Sequence, residues 1–247
     1  LLVAGWLAWK QGRGWLRAAL SRPRAAAMLA GSGTLIAFNW GLYVWAVNAG
    51  HVIETSLGYF INPLLNVVIG VAFLRERLTR VQWIAVAFAL VGVAWLTWQY
   101  GRLPWIALAL ALSFGLYGLV RKLVAVDPVV GLGVESAYLF LPGLAVLAWF
   151  EMRGAGGFFR GFGVANDVLL VFAGALTALP LIGFAYAVRR IPLSVVGLMQ
   201  YIAPTLQFLI GVFVFHEAFD RDRLVGFACI WAGLVVFAGE GWWRSRQ

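Results

Sequence analysis

The chain has 247 residues, 63% of them hydrophobic and 12% charged, with a mean hydropathy of +0.88. Soluble domains carry roughly a quarter charged residues, and none of this length could hide so much apolar surface, so the composition excludes a water-soluble globule and requires lipid as part of the solvent. The net charge of +9 does not argue for nucleic acid, because the basic residues fall in short clusters between apolar runs rather than in one patch.

In chain order, residues 1–9 are apolar but too short to span, and they lack the basic start of a signal peptide. They are expected to be the end of a helix whose beginning lies upstream. Runs of about twenty apolar residues follow near 28–48, 53–74, 80–99, 104–120, 131–150, 168–188, 194–215 and 224–242. Each is long enough to cross a hydrocarbon core of ~30 Å. Trp and Tyr gather at several run ends (Trp9, Trp98, Tyr100, Trp105, Trp149), where amphipathic rings prefer to lie. Of the 19 Lys and Arg residues, fourteen fall in one set of alternate loops and five in the other. The positive-inside rule then puts the first loop and the C-terminus in the cytoplasm.

A shift of 141 residues lays GYFINPLLNVVIG (58–70) on MQYIAPTLQFLIG (199–211). Pro63/Pro204, Leu65/Leu206 and Gly70/Gly211 coincide, and without a gap so do Glu76/Glu217, Arg80/Arg221 and Gly92/Gly233. The matched runs cross in opposite directions by the assignment above. The loop after the first is net positive and that after the second net negative, so the charge bias flips while the helix sequence persists. That is the signature of an inverted repeat with an odd number of spans per half. The first copy would occupy 1–103 and the second, with five spans, 104–247. Leu1 aligns with Pro142, inside the second span of the second copy, so about 38 residues are expected to be missing upstream. The reading is an all-α polytopic membrane protein, an inverted five-plus-five repeat of ten helices when complete, with about eight and a half here.

The repeat also organises the polar residues inside the apolar runs. Tyr59, Pro63, Asn66 and Gly70 make one helical stripe flanked by Asn62, and Gln200, Pro204, Gln207 and Gly211 take the same offsets in the second copy. Amides in lipid are costly unless they face protein or a water-filled cavity. Each proline also frees a carbonyl four residues back, Tyr59 and Gln200, and provides a hinge. Two such faces would line a substrate site near the midplane; the alternative is that they only hold helices together, at roughly 0.6–2 kcal/mol per contact. Asn39 and Tyr43 are further cavity candidates, since an amide beside aromatic rings suits an aromatic substrate.

Two acids lie within runs. Glu54 opens 53–74, where it either binds a cation or proton or sits favourably at a helix N-terminus. Glu135 lies about one turn inside 131–150, where it either couples to protons or pairs with Arg121 or Lys122. His51 and His216 have no metal-ligand spacing, and there is no phosphate loop, nucleophile elbow or catalytic dyad. No cofactor, no metal and no enzymatic activity are expected. The single Cys229 excludes an intramolecular disulfide.

FNWGLYVWAVNAGHVIETSLGYFINPLLNVVIGVAFL (38–74), LSFGLYGLVRK (112–122) and MQYIAPTLQFLIGVFVFHE (199–217) resemble the RarD-type permeases of the EamA branch of the drug/metabolite transporter superfamily. The resemblance implies ten helices in an inverted repeat, both termini cytoplasmic, a central cavity, and export or exchange of small molecules. Together with the residues above, it points to a secondary transporter of the bacterial cytoplasmic membrane. The substrate would be a small organic metabolite or drug, the mechanism alternating access, and a proton the candidate coupling ion. The other readings are a membrane receptor or scaffold without flux, or a fragment without function.

Overall fold

The computed structural model describes residues 2–12, 14–154, 163–213 and 221–244. Helices account for nearly all of them, and no strand occurs among the described residues. The helices are α1 (Leu2–Gln11), α2 (Gly14–Leu20), α3 (Pro23–Asn48), α4 (Val52–Leu74), α5 (Arg80–Tyr100), α6 (Trp105–Leu123), α7 (Pro128–Met152), α8 (Val164–Arg190), α9 (Leu193–Gln200), α10 (Ile202–Phe213) and α11 (Arg221–Arg244). Among the described residues seven segments are long and apolar enough to cross a membrane. An all-helical build is what lipid demands, since a helix satisfies its own backbone groups.

The helix starts and stops are written locally. Thr79 and Gln82 form a reciprocal capping box at the start of α5, and Gly101 ends that helix in the left-handed conformation. Asp127 accepts the Val129 and Val130 N–H groups with Pro128 as first residue of α7. Arg75 closes α4 with φ +55°, and the N–H of Glu76 then returns to the Gly70 carbonyl at 3.0 Å.

Two expectations change. The stretch between the first apolar segment and residue 28 is not a loop: it holds α2 and the first turn of α3. The run 194–215 is not one helix either. It is jointed at Tyr201, whose N–H bonds Leu198 rather than Gly197, the regular partner. Pro204 explains the place, because it has no N–H for the Gln200 carbonyl.

The chain divides into two compact units, 1–37 with 120–190 and 38–119 with 191–247. In the first, Leu7, Trp15, Leu29, Val124 and Val134 form the core. Gly133 is required there: a Cβ would lie 2.6 Å from Leu7 and 3.1 Å from the Trp15 ring. In the second, Leu57, Phe60, Val67, Val86, Ala89, Tyr201 and Ile230 are core residues. Here α4 lies antiparallel to α9, with Gly70 beside Ser194 and Phe60 beside Tyr201. Likewise α5 lies antiparallel to α11, because Gly92 meets Gly226 while Gly233 meets Ala85. Small residues let these backbones approach, which is how helices associate where lipid removes the hydrophobic drive.

Candidate functional site

The amides of α4 converge on α9 within the second unit. Asn66, fully buried, donates its Nδ2 to Gln200 Oε1 at 2.5 Å, and Asn62 donates to the same oxygen at 3.3 Å. The carbonyl oxygens Asn62 Oδ1 and Asn66 Oδ1 are buried and accept no hydrogen bond among the described residues. An unsatisfied buried acceptor costs about 1–3 kcal/mol. Gly197 makes the approach possible. A Cβ there would stand 2.6 Å from the Pro63 carbonyl and 2.9 Å from Asn66 Cβ.

Just below, the Tyr201 hydroxyl donates to the Phe60 carbonyl at 3.0 Å, across a separation of 141 residues. The separation equals the 141-residue shift that aligns the two stretches of sequence. Trp231 Nε1 donates to Thr205 Oγ1, which donates in turn to the Tyr201 carbonyl, tying α11 to the joint.

The remaining predicted residues divide. Asn39 donates to the Leu110 carbonyl at 2.8 Å and to Ser113 Oγ at 2.9 Å, so it holds α3 to α6. Tyr43 and Tyr59 meet edge to face at 6.2 Å, and Tyr59 is 42% exposed. Pro63 does not interrupt α4, whereas Pro204 follows the joint. Gln207 lies on α10, and its side chain is outside the described residues, as is Glu217.

Glu54 is buried but does not serve its own helix. Its Oε1 accepts the Ile106 N–H at 2.7 Å, capping the start of α6, and its Oε2 accepts the Tyr100 hydroxyl at 2.6 Å, with Arg102 at 4.0 Å. Glu135, in the first unit, accepts from Ser32 Oγ at 2.5 Å and pairs with Arg121 at 3.4 Å; both charges are 1% exposed. Arg121 also donates to the Pro128 carbonyl at 2.8 Å. Paired charges in a low-dielectric interior are the arrangement intramembrane ions require.

Sequence reasoning passed over Glu76. It follows the left-handed Arg75, and its carboxylate accepts the N–H groups of Leu193 (2.7 Å) and Ser194 (2.9 Å) and the Ser194 hydroxyl (2.7 Å). It therefore caps α9, the segment carrying Gln200. The available signal was an acid that recurs as Glu217 in the second copy just past a span. No group of three or more potential metal-ligating side chains occurs among the described residues.

Comparison with known proteins agrees on the type of molecule. Residues 1–98 match the EamA-like transporter family. A protein named RarD from Streptomyces exfoliatus is 45% identical over 95% of this chain and 74% of its own length. An uncharacterized transporter from Pseudomonas aeruginosa is also 45% identical, over 98% and 80%, and RarD of Escherichia coli K12 is 42% identical over 94% and 78%. A solved crystal structure superposes with a TM-score of 0.68 at 19% identity, covering 95% of this chain and 82% of that one, which shows a shared fold. Relatives at this identity and coverage, with apolar helices of spanning length, make the chain a multi-pass inner-membrane protein; it belongs to the EamA-like transporter family, among its RarD-type members.

Proposed function

We propose that the chain is a secondary transporter that moves a small organic metabolite or drug across the bacterial cytoplasmic membrane by alternating access, with its C-terminus in the cytoplasm. The observation that carries this reading is the meeting of equivalent helices at the buried amides. Phe60 touches Tyr201, and the α5–α11 contacts obey the same exchange: Gly92 meets Gly226 while its repeat mate Gly233 meets Ala85, the mate of Gly226. Reciprocal contacts of this kind, between antiparallel helices, are what a pseudo-two-fold axis in the membrane plane produces. They support the inverted repeat with copies over 1–103 and 104–247. A jointed helix and polar side chains on that axis are where such transporters bind their cargo.

Proton coupling in this reading runs through Glu135, with a proton exchanging against Arg121 for the carboxylate. Glu54 is the weaker candidate because its oxygens cap α6 and hold Tyr100. The test is flux. One relative, from Pseudomonas aeruginosa, carries the name chloramphenicol-sensitive protein RarD, which makes chloramphenicol the first probe. Liposomes containing the protein should release loaded chloramphenicol faster than empty liposomes, and Asn66→Leu should remove that difference. Binding without flux would make the protein a receptor. Uptake driven by a pH gradient that survives Glu135→Gln would remove the coupling step.

A further inference from the structure

The two ends of the seam between α4 and its sequence counterpart are built differently. At one end Arg75 turns into the left-handed region, the one non-glycine residue with positive φ among the described residues. Such a conformation costs energy and persists only where its surroundings impose it. The turn carries Glu76 back over α4, where its carboxylate accepts the Leu193 N–H, the Ser194 N–H and the Ser194 hydroxyl. Gly70 leaves the room: a Cβ there would stand 2.5 Å from Glu76 Oε2 and 3.1 Å from the Ser194 nitrogen. A carboxylate at a helix N-terminus, bonded to its first N–H groups, fastens the start of α9 to the end of α4.

At the other end the 141-residue shift carries Leu193, Ser194 and Gly197 onto Val52, Ile53 and Ser56. Leu193 and Ser194 are 0% exposed and Gly197 is buried, whereas Val52 is 51% exposed, Ile53 58%, and Ser56 is exposed too. Val52, Ser56 and the exposed Tyr59 make one stripe of α4. His51, the N-cap of that helix, makes no side-chain cap bond. Between the ends, Phe60 and Tyr201 hold the seam with a hydrogen bond joining positions related by the same shift. Matching residues are therefore packed on the Glu76 side of the crossing and open on the far side. An inverted repeat in two unequal conformations presents its pathway to one face of the membrane, and exchange of the two conformations presents it to the other.

We propose that the Glu76 carboxylate on the N-terminus of α9 is the latch of an inner gate. Its release lets α4 and α9 part at this end, while the stripe of Val52, Ser56 and Tyr59 closes against α10 at the other. Phe60 and Tyr201 are the pivot. The latch rests on the alternating-access reading, whose topology puts the α4–α5 turn in the cytoplasm.

Two thiol reporters read both ends. The single cysteine is first removed as Cys229→Ala. Leu193→Cys, whose backbone N–H still reaches Glu76, then reports the latched end, and Val52→Cys the far end. The full chain in detergent micelles is labelled with N-ethylmaleimide and the rate followed by mass. With Glu76 present, the Val52→Cys variant should react faster than the Leu193→Cys variant. Adding Glu76→Ala should speed the Leu193→Cys reaction by roughly fivefold or more, the ratio that loss of one helix cap corresponds to, and should slow the Val52→Cys reaction. Where Glu76→Ala does not fold, Glu76→Gln, which keeps an acceptor oxygen, should move both rates the same way by less. A cap with a structural role alone would not drive the two rates in opposite directions. Rates that move together, a change in one rate alone, no change, or a Leu193→Cys variant that is the faster before Glu76 is altered would each overturn the latch. Opposed rates in a chain that passes no chloramphenicol in liposomes would refute transport and keep the latch. Flux with rates that do not answer to Glu76 would refute the latch alone.

Discussion

Helix α4 and the α9–α10 pair carry the same pattern, apolar runs with a proline at equivalent positions, yet α4 runs through Pro63 unbroken and its counterpart is jointed at Tyr201. A missing N–H is therefore not enough to open a helix. The residue four before Tyr201 is Gly197, where Ser56 stands in the first copy and bonds its own helix at Val52. Gly197 presses its backbone on Pro63 and Asn66, and the Tyr201 N–H turns to Leu198. Glycine lowers the cost of leaving the helix, and the contact with α4 supplies the reason to leave. Helix α4 continues through its proline, and the α9–α10 segment is jointed where it bears on α4.

The comparison breaks most severely at Gly197. Gly197→Leu forces a side chain into the Pro63 carbonyl and should cost at least the about 1–3 kcal/mol typical of overpacking, read as a lower midpoint in thermal unfolding. Gly183→Leu, with open space around it, should leave the midpoint unchanged. The next effect belongs to the cap. Glu76→Ala removes the acceptor of three donors at the start of α9 and should cost about 1–2 kcal/mol, with Glu76→Gln losing less. Tyr201→Phe removes one hydrogen bond between equivalent positions; similar bonds in membrane proteins average about 0.6 kcal/mol, so the midpoint should move little. The prolines sharpen the contrast without a large stability term. Pro204→Ala restores a donor for Gln200 and should straighten the joint, slowing flux several-fold, whereas Pro63→Ala in an already continuous helix should change flux less. Equal loss from both would show that the joint is not the moving part.

Much of this molecule is legible in the chain itself. Lipid leaves few options for twenty apolar residues, so the spans over 53–74, 80–99 and 104–120 fall within a few residues of α4, α5 and α6. The self-match at 141 residues puts Pro63 with Pro204 and Gly92 with Gly233, and it singles out Asn62, Asn66 and Gln200 as a group. Periodicity places such residues on a face because a helix has one geometry. Partners are another matter. Whether Asn39 lines a cavity or ties α3 to α6, whether Glu54 serves α4 or caps α6, and that Glu76 holds α9, all depend on which helix end arrives beside each side chain. Those arrivals are long-range events, set by how closely Gly92, Gly197 and Gly226 let backbones pack. A sequence names its donors and acceptors, and only the packed helices decide which of them meet.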